Sequence, residues 1–273
     1  MKKHNKIILI LIFFIGISLL LYPKIGQYIN NEKQRKVLEK YKKTINVIDL
    51  EKQEEIYKEA EEYNEKIYKL QKEDKKYNLD DDYLETLKLD DTSIMGYIEI
   101  PKIDIKLPIY HGVDESTLQK GVGHVKETSL PIGSNNQNSM LLGHSGLPTS
   151  EIFTNLEKLE LNDFFKISLL NKNIYYKIIN IEVILPEELK DKVYIEENKD
   201  LVTLVTCTPY SINSHRLIIT GERIDYEEVE KEENEIIYNN KTKRNTNYFL
   251  ILLFLIVLII FIIIKRGKYV KKD

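Results

Sequence analysis

Three side chains in the second half of the chain have the types and positions that acyl-transfer chemistry requires. Cys207 is the only cysteine, and it follows the apolar run Leu201–Thr206 immediately before a Thr-Pro turn. His144 lies in a Gly-rich turn after another apolar run, and Arg216 follows Cys207 by nine positions. A histidine can activate a thiol as a nucleophile. An arginine can bind a substrate carbonyl or stabilise a developing oxyanion.

Each of these residues also has a structural interpretation. A lone cysteine is often a small buried apolar residue, and a single histidine or arginine is more often structural or solvent-exposed than catalytic. Two features favour reactivity for Cys207, namely its position at the end of a predicted strand and its lack of any disulfide partner. His111 and His124 are expected to be structural. His215 adjoins Arg216, and consecutive strand residues point to opposite faces, so it ranks below His144 as the catalytic base.

One cysteine cannot form an internal disulfide or supply a Cys-rich zinc site, and no H-x-x-x-H spacing is present. We therefore expect neither a metal nor a cofactor. The chain has 40 Lys and Arg against 43 Asp and Glu, a net charge of -3. This balance argues against a nucleic-acid partner, because nucleic-acid binders usually carry a basic excess.

The region that must position these residues spans 94–224, where short Ile-, Val- and Tyr-rich runs alternate with Gly, Pro and Asn turns. Two short helices are predicted between the strands, from a cap at Asp114 through Leu118 and over Glu151–Leu159. Seven or eight short strands with few helices predict a closed barrel or a sandwich. The predicted strands are Tyr97–Ile100, Ile103–Ile109, Ser139–Leu142, Phe164–Leu170, Ile174–Leu185, Leu201–Thr206 and Leu217–Thr220.

Residues 30–80 are rich in Glu and Lys and contain neither Pro nor Gly. An apolar residue recurs there at steps of four and three, which predicts amphipathic helices. We expect these helices to pack on the β-rich domain or to space it from a membrane. A coiled-coil partner is the alternative, although the register breaks near residues 49–55. The first stripe contains Val37, Tyr41 and Ile48, and the second contains Ile56, Ala60, Tyr63, Ile67 and Leu70.

Uncharged apolar runs lie near both ends of the chain, at 7–22 and 248–264, and both have Lys or Arg on their outer flanks. Their lengths are near the minimum for a membrane span. Because cytoplasmic flanks carry the Lys and Arg excess, both termini are expected to be cytoplasmic and residues 24–247 extracellular. The first run lacks the small-residue site of a cleavable signal peptide. The second lacks the upstream LPxTG-like motif of a cell-wall sorting signal.

These features divide the chain into five parts. Residues 1–23 form a cytoplasmic flank and an anchor, and 24–93 form an extracellular helical extension. Residues 94–224 form the β-domain, 225–247 a charged tether, and 248–273 a second membrane helix with a basic tail.

The motifs around the three candidate residues resemble those of the sortases. Thr203 through Cys207 read TLVTC, similar to the family's TLxTC signature, and Arg216 has the family's spacing from Cys207. The resemblance covers about residues 80–224 and is strongest to class C, the pilin-polymerising sortases, which also have two membrane anchors. The class C-like runs are Met95–Ile103, Leu107–Gly112, Gly121–His124, Thr128–Pro131, Gly143–Pro148 and Thr206–Arg216.

The resemblance implies an eight-stranded β-barrel, mainly β in class, that carries a Cys–His–Arg transpeptidase site. It implies that Cys207 attacks the Thr–Gly bond of an LPxTG-like sorting signal and forms a thioacyl enzyme. His144 then protonates the leaving amine and deprotonates the acceptor, which is a pilin Lys amine. Arg216 holds the substrate and stabilises the oxyanion. Partners are then LPxTG-type pilins and other surface proteins.

Class C sortases carry a lid with an Asp-Pro-aromatic motif over the active cysteine. The matching position here is Asp81-Asp82-Tyr83, in which Asp82 replaces the proline. The resemblance implies that Asp81 pairs with Arg216 and Tyr83 covers Cys207, whereas loss of the proline removes backbone stiffness. An ordinary acidic loop is the alternative.

Two other functions remain open at this point. Within the enzyme class, the alternative is a sortase that joins surface proteins to peptidoglycan amines. From a different class, the alternative is a membrane-anchored β-domain that binds pilins without catalysis. The presence of Cys207, His144 and Arg216 together favours an enzyme, because a binding module needs none of them.

Overall fold

The computed structural model describes residues 3–73, 80–89, 93–236 and 238–240. Two compact units divide the chain, Met1–Tyr226 and Glu227–Asp273. In the second unit, residues 230–236 and 238–240 are helical. The first unit contains all the strands that the structure describes, and it is the unit that carries the candidate site.

Eight strands close into a single barrel in the order β1-β2-β3-β4-β7-β8-β6-β5. This confirms the predicted eight-stranded barrel. The strands are β1 (Ile94–Ile100), β2 (Ile105–His111), β3 (Val122–His124), β4 (Gln137–Leu142), β5 (Phe164–Leu169), β6 (Lys172–Ile184), β7 (Asp200–Thr208) and β8 (His215–Ile224).

Two of the neighbouring pairs in the barrel are parallel, β2 with β3 and β4 with β7. The other pairs are antiparallel. Parallel strands end at the same edge, so the β4–β7 pair places the residues that follow both strands at one end of the barrel. Alternate residues of these strands fill the interior, where Ile98, Ile109, Leu141, Ile167, Leu204 and Ile219 are fully buried.

In the described part of the first unit, four α-helices accompany the barrel: α1 (Lys3–Val47), α2 (Leu50–Lys72), α3 (Asp80–Glu85) and α4 (Glu115–Leu118). The break between α1 and α2 falls where the apolar register shifts. There the Asp49 carboxylate accepts a hydrogen bond of 2.8 Å from the Lys52 amide and caps α2. The predicted apolar face of α2, from Ile56 to Ile67, is buried in the main hydrophobic core.

The second half of α1 packs on the barrel wall. Leu38, Tyr41 and Ile45 form a small core with residues of β1 and β2. The Tyr41 hydroxyl donates a hydrogen bond of 2.8 Å to the Met95 carbonyl and accepts one of 3.1 Å from the Leu170 amide. Both amphipathic helices therefore pack on the β-domain, which is one of the two arrangements predicted from the sequence.

One helix in the described part of the chain, Leu11–Val47, is long and apolar enough to cross a membrane. It includes most of the first predicted apolar run. The second predicted run, residues 248–264, lies outside the described residues.

The structure differs from the sequence predictions at two places. Strand β3 was not predicted, because three residues are too few to show an alternating pattern. The predicted helix over Glu151–Leu159 is wrong, since this segment contains only a short 3-10 turn at Leu156–Lys158. The Phe153 amide bonds to the His144 carbonyl at 2.9 Å instead of to a carbonyl one helical turn earlier. This bond joins two parts of the same connection between β4 and β5, at its start and near its middle.

Candidate active site

Cys207 lies near the end of β7, directly opposite Arg216 on β8. The two residues are partners in the antiparallel register, so the hairpin places the Cys207 thiol beside the aliphatic part of the Arg216 side chain. Cys207 is a free thiol and is half-buried. The spacing of nine residues between them is thus explained by the length of this hairpin.

His144 follows β4 at the same end of the barrel, and two hydrogen bonds hold its loop against β7. The Gly143 amide donates to the Val205 carbonyl at 3.1 Å, which extends the parallel pairing by one step. The Thr206 hydroxyl donates to the Gly143 carbonyl at 2.8 Å. These bonds join Gly143, which precedes His144, to Val205 and Thr206, the two residues before Cys207. They hold the two chain segments that carry the candidate side chains together.

Glycine is required at position 143 by close packing. A Cβ atom there would lie 2.6 Å from the ring of Phe153, a distance that real Cβ contacts do not show. Phe153 is fully buried, so its ring cannot move aside at low cost. The glycine therefore lets the chain turn from β4 toward His144 against a packed aromatic ring.

A carboxylate that the sequence did not point to contacts His144. The Glu115 Oε2 atom in α4 lies 3.2 Å from His144 Nε2. Because a carboxylate only accepts hydrogen bonds, this contact assigns the hydrogen to Nε2 and leaves Nδ1 available for proton exchange. The available sequence signal was the Asp114 cap, whose side chain accepts from the Thr117 amide and starts α4 at Glu115.

The Arg216 guanidinium lies over the loop that joins β7 to β8. Its Nη1 donates to the carbonyls of Asn213 at 3.2 Å and His215 at 3.0 Å. Among the side chains that the structure describes, which exclude those of Asp80–Asp82, no carboxylate forms an ion pair with Arg216. The two neutral carbonyls orient the guanidinium, whose permanent positive charge can bind a substrate oxygen.

The structure does not bring Tyr83 to Cys207. The Tyr83 side chain is buried beside the C-terminal ends of β2 and β3, where its hydroxyl donates to the His124 carbonyl at 2.9 Å and accepts from the Gly112 amide at 2.9 Å. Since β3 is antiparallel to β4, these ends point away from the end of β4 that leads to His144. Asp81 lies in α3, and its pairing with Arg216 stays a prediction.

His111 and His124 surround Tyr83 and have the structural role that was expected of them. The Tyr83 ring stacks on His124 with centroids 5.6 Å apart and meets the edge of His111 at 5.0 Å. Burial is the main cause that lowers the pKa of His124, to about 3, and burial also lowers the pKa of His111. Burial therefore favours the neutral form of both imidazoles.

Comparison with known proteins adds independent findings to this geometry. A model of the sortase domain matches residues 98–224. The crystal structure of sortase C1 from Streptococcus agalactiae is 41% identical, covers 70% of this chain and 98% of its own, and has a TM-score of 0.66. The structure of Clostridium perfringens sortase C with the C-terminal cell wall sorting motif is 38% identical, covers 70% of this chain and 98% of its own, and has a TM-score of 0.62.

Among curated relatives, sortase D of Bacillus subtilis is 31% identical over 132 residues, which are 47% of this chain and 63% of the relative. Sortase A of Bacillus anthracis is 30% identical over 138 residues, which are 50% of this chain and 62% of the relative. The chain thus spans somewhat less than two thirds of the length of these curated relatives.

Proposed function

This chain belongs to the sortase family of cysteine transpeptidases, and from that premise we propose that it polymerises pilins on the outer face of the cell membrane. Two observations support the proposal. Cys207 pairs with Arg216 in the β7–β8 register, and β4 and β7 run parallel, so that the loop carrying His144 begins beside the end of β7.

The proposed reaction has two acyl-transfer steps at Cys207. The thiolate attacks the Thr–Gly carbonyl carbon of an LPxTG-like signal, and Arg216 stabilises the resulting oxyanion. His144 gives a proton to the Gly amine, the C–N bond breaks, and a thioester remains. A pilin Lys amine then attacks the thioester and loses a proton to His144, and the thiolate leaves as an isopeptide bond forms.

Similarity to class C structures supports a pilin acceptor. The crystal structure of Streptococcus pneumoniae sortase C, which provides insights into pilin substrate specificity, is 34% identical to this chain and covers 97% of its own length. The curated class A relatives align over a smaller part of themselves, as sortase A of Staphylococcus aureus does at 59%. Joining surface proteins to peptidoglycan amines is the second candidate, because class A enzymes match the same barrel.

Membrane attachment is part of the proposal. The apolar side chains of α1 between Leu11 and Tyr22 are largely exposed, which is unfavourable in water and favourable in a lipid bilayer. The Lys residues before this run and after the run at 248–264 favour two anchors with both termini in the cytoplasm.

The test is a ligation assay with the full chain in detergent micelles. A library of LPxTG-type peptides is offered together with candidate pilins and, separately, with peptidoglycan-type amines. We expect covalent pilin multimers, a mass-spectrometric thioacyl adduct on Cys207, and loss of both in the Cys207→Ala variant.

Two histidine variants test which imidazole transfers the proton. His144→Ala should lower kcat/KM by about 10²- to 10⁴-fold, whereas His215→Ala, at a nearby histidine, should change it less than about threefold. Processing by Cys207→Ala would contradict the mechanism. A wild-type chain that joined only peptidoglycan-type amines would support the second candidate instead.

A further inference from the structure

A cleft of about 850 Å³ separates α1 from the loop that carries His144. One wall is the α1 segment from Asn30 to Val37, and the opposite wall combines α4 with the loop after β4. Its charged and apolar lining consists of Lys33, Lys36, Lys120, Val37, Tyr110 and Leu147. Its size is within the range of peptide and small-molecule sites.

Hydrogen bonds hold the two walls at a fixed separation. Asn30 Nδ2 donates to the Thr149 carbonyl at 2.8 Å, and Gln34 Nε2 donates to the Lys120 carbonyl at 3.2 Å. At Gly26 the helix approaches the loop so closely that a Cβ atom would lie 2.4 Å from Thr149 Cγ2. The cleft is therefore a built feature of the contact between α1 and the barrel.

The cleft adjoins the catalytic histidine through both elements of its second wall. The loop that places Leu147 and Thr149 in the cleft carries His144 at its start. Helix α4 places Ser116 in the cleft and, one residue earlier, Glu115 against His144 at 3.2 Å. A substrate chain that leaves the reacting centre on the side of His144 therefore runs toward the cleft.

The charged residues that line the cleft are all positive. Lys33, Lys36 and Lys120 face the cleft, and none of its lining residues is acidic. Glu32 and Glu39 both pair with Arg35, and Glu32 also interacts electrostatically with Lys36. Among the side chains that the structure describes, none of the three lysines forms a salt bridge. The cleft thus offers three cations next to the apolar side chains that complete its lining, Val37, Tyr110 and Leu147.

We infer that this cleft binds an acidic segment of the substrate on the leaving-amine side of the scissile bond. The inference rests on the proposed function, in which His144 protonates the leaving Gly amine, so the chain attached to that amine lies on the side of His144. A carboxylate-bearing segment complements the three lysines. A lipid headgroup fits less well, because Lys33 lies eleven residues beyond Tyr22, or about 16 Å along the helix from the apolar run.

The experiment compares two fluorogenic peptides on the full chain in nanodiscs of neutral lipid. Both contain the same LPxTG sequence, followed by either three Glu or three Gln residues. Wild type is expected to show kcat/KM about tenfold higher for the Glu peptide at low salt, from two or three exposed ion pairs. The preference should fall toward unity at about 0.5 M KCl, because salt screens exposed charges.

Matched charge variants test the site. The triple variant Lys33→Gln, Lys36→Gln, Lys120→Gln should lose the preference while keeping its rate with the Gln peptide. A control triple variant, Lys43→Gln, Lys58→Gln, Lys190→Gln, removes the same charge at exposed positions outside the cleft and should keep the preference.

A direct titration separates this inference from the proposed function. A fluorescein-labelled fragment, Gly followed by three Glu, is titrated into the Cys207→Ala chain and followed by anisotropy. If neither peptide is cleaved, the proposed function fails, and binding of the fragment that depends on the three lysines still supports an acidic-peptide cleft. Cleavage of both peptides at equal rates would overturn the cleft inference alone. Loss of the preference when the nanodiscs contain anionic lipid would instead assign the lysines to the membrane.

Discussion

Two buried ionisable groups at different places in the barrel are expected to give its stability opposite responses to pH. His124 is completely buried, with Nε2 2.8 Å from the Ser129 carbonyl oxygen and Nδ1 3.0 Å from the Tyr83 hydroxyl. Asp200 is buried at the start of β7, where one of its oxygens accepts from Gln137 and from Tyr176 at 3.1 Å. Its other oxygen has no hydrogen-bond partner but forms an ion pair with Arg223 Nη1 at 3.6 Å.

The signs follow from proton linkage. Burial lowers the pKa of His124 from 6.5 to about 3, so the unfolded chain binds the proton first and stability falls as the pH drops below 6.5. Burial raises the pKa of Asp200 from 3.8 to about 7, although Tyr176 and Arg223 oppose the shift. The folded chain then binds the proton first, and stability falls as the pH rises from 3.8 through 7.

Between pH 7 and pH 5 the two effects are similar in size. Proton linkage with these pKa values gives a loss of about 2 kcal/mol from His124 and a gain of about 2 kcal/mol from Asp200. We therefore expect the free energy of unfolding of the wild type to change little over this interval, as far as these two groups are concerned.

Substituting one of these two residues should reveal the pH dependence that the other contributes to stability. His124→Gln is expected to become about 2 kcal/mol more stable, relative to wild type, when the pH falls from 7 to 5. Asp200→Asn is expected to become less stable by a similar amount over the same interval. The assay is guanidinium unfolding of the full chain in micelles at both pH values, followed by tyrosine fluorescence, since the chain has 18 Tyr and no Trp.

The double variant provides the control, because it should respond to pH as the wild type does. The linkage argument would be refuted if each single variant differed from the wild type by the same free energy at both pH values. The comparison between variants cancels contributions from the other histidines and carboxylates.

Three further predictions concern the candidate site and the predicted lid. Gly143→Ala should lower kcat/KM at least tenfold while the barrel stays folded by circular dichroism, because the new Cβ has no room and shifts the His144 loop. Glu115→Gln keeps a hydrogen-bond acceptor at 3.2 Å from His144 but removes the charge, so its pH–rate profile should shift, whereas Glu115→Ala should also reduce kcat; identical profiles for all three proteins would rule out a role for Glu115. Tyr83→Phe leaves the Gly112 amide unpaired and should cost about 1–3 kcal/mol of stability. Its rate of iodoacetamide labelling should equal that of the wild type, and faster labelling would restore the idea of a Tyr83 lid.

The residue pairs Cys207–Arg216 and Cys207–His144 differ in how well the sequence predicts that they lie close together. The first pair lies in one hairpin, whose short loop fixes the register and places both residues opposite each other. Spacing alone therefore predicted this contact. The second pair depends on parallel pairing of β4 with β7, strands more than fifty residues apart, for which the sequence offers composition and motif resemblance but no register.

The lid segment and the loop after β4 show the same division. Asp81-Asp82-Tyr83 matches a motif position, yet the partners of the Tyr83 hydroxyl, His124 and Gly112, come from distant strands and hold it away from Cys207. The Glu115 contact with His144 is likewise formed by elements that neighbour each other only in the barrel.

By itself, the sequence determined the reactive residue types, the apolar runs near both ends, the helical face of α2, and most of the short strands of a closed barrel. These follow from local periodicity, from side-chain chemistry and from motifs that are contiguous in the chain. Only the tertiary structure decided which strand ends meet, that Glu115 contacts His144, and that three lysines from α1 and the segment after α4 face one cleft. Such placements depend on burying many distant side chains at once, and no short segment of the chain carries that information.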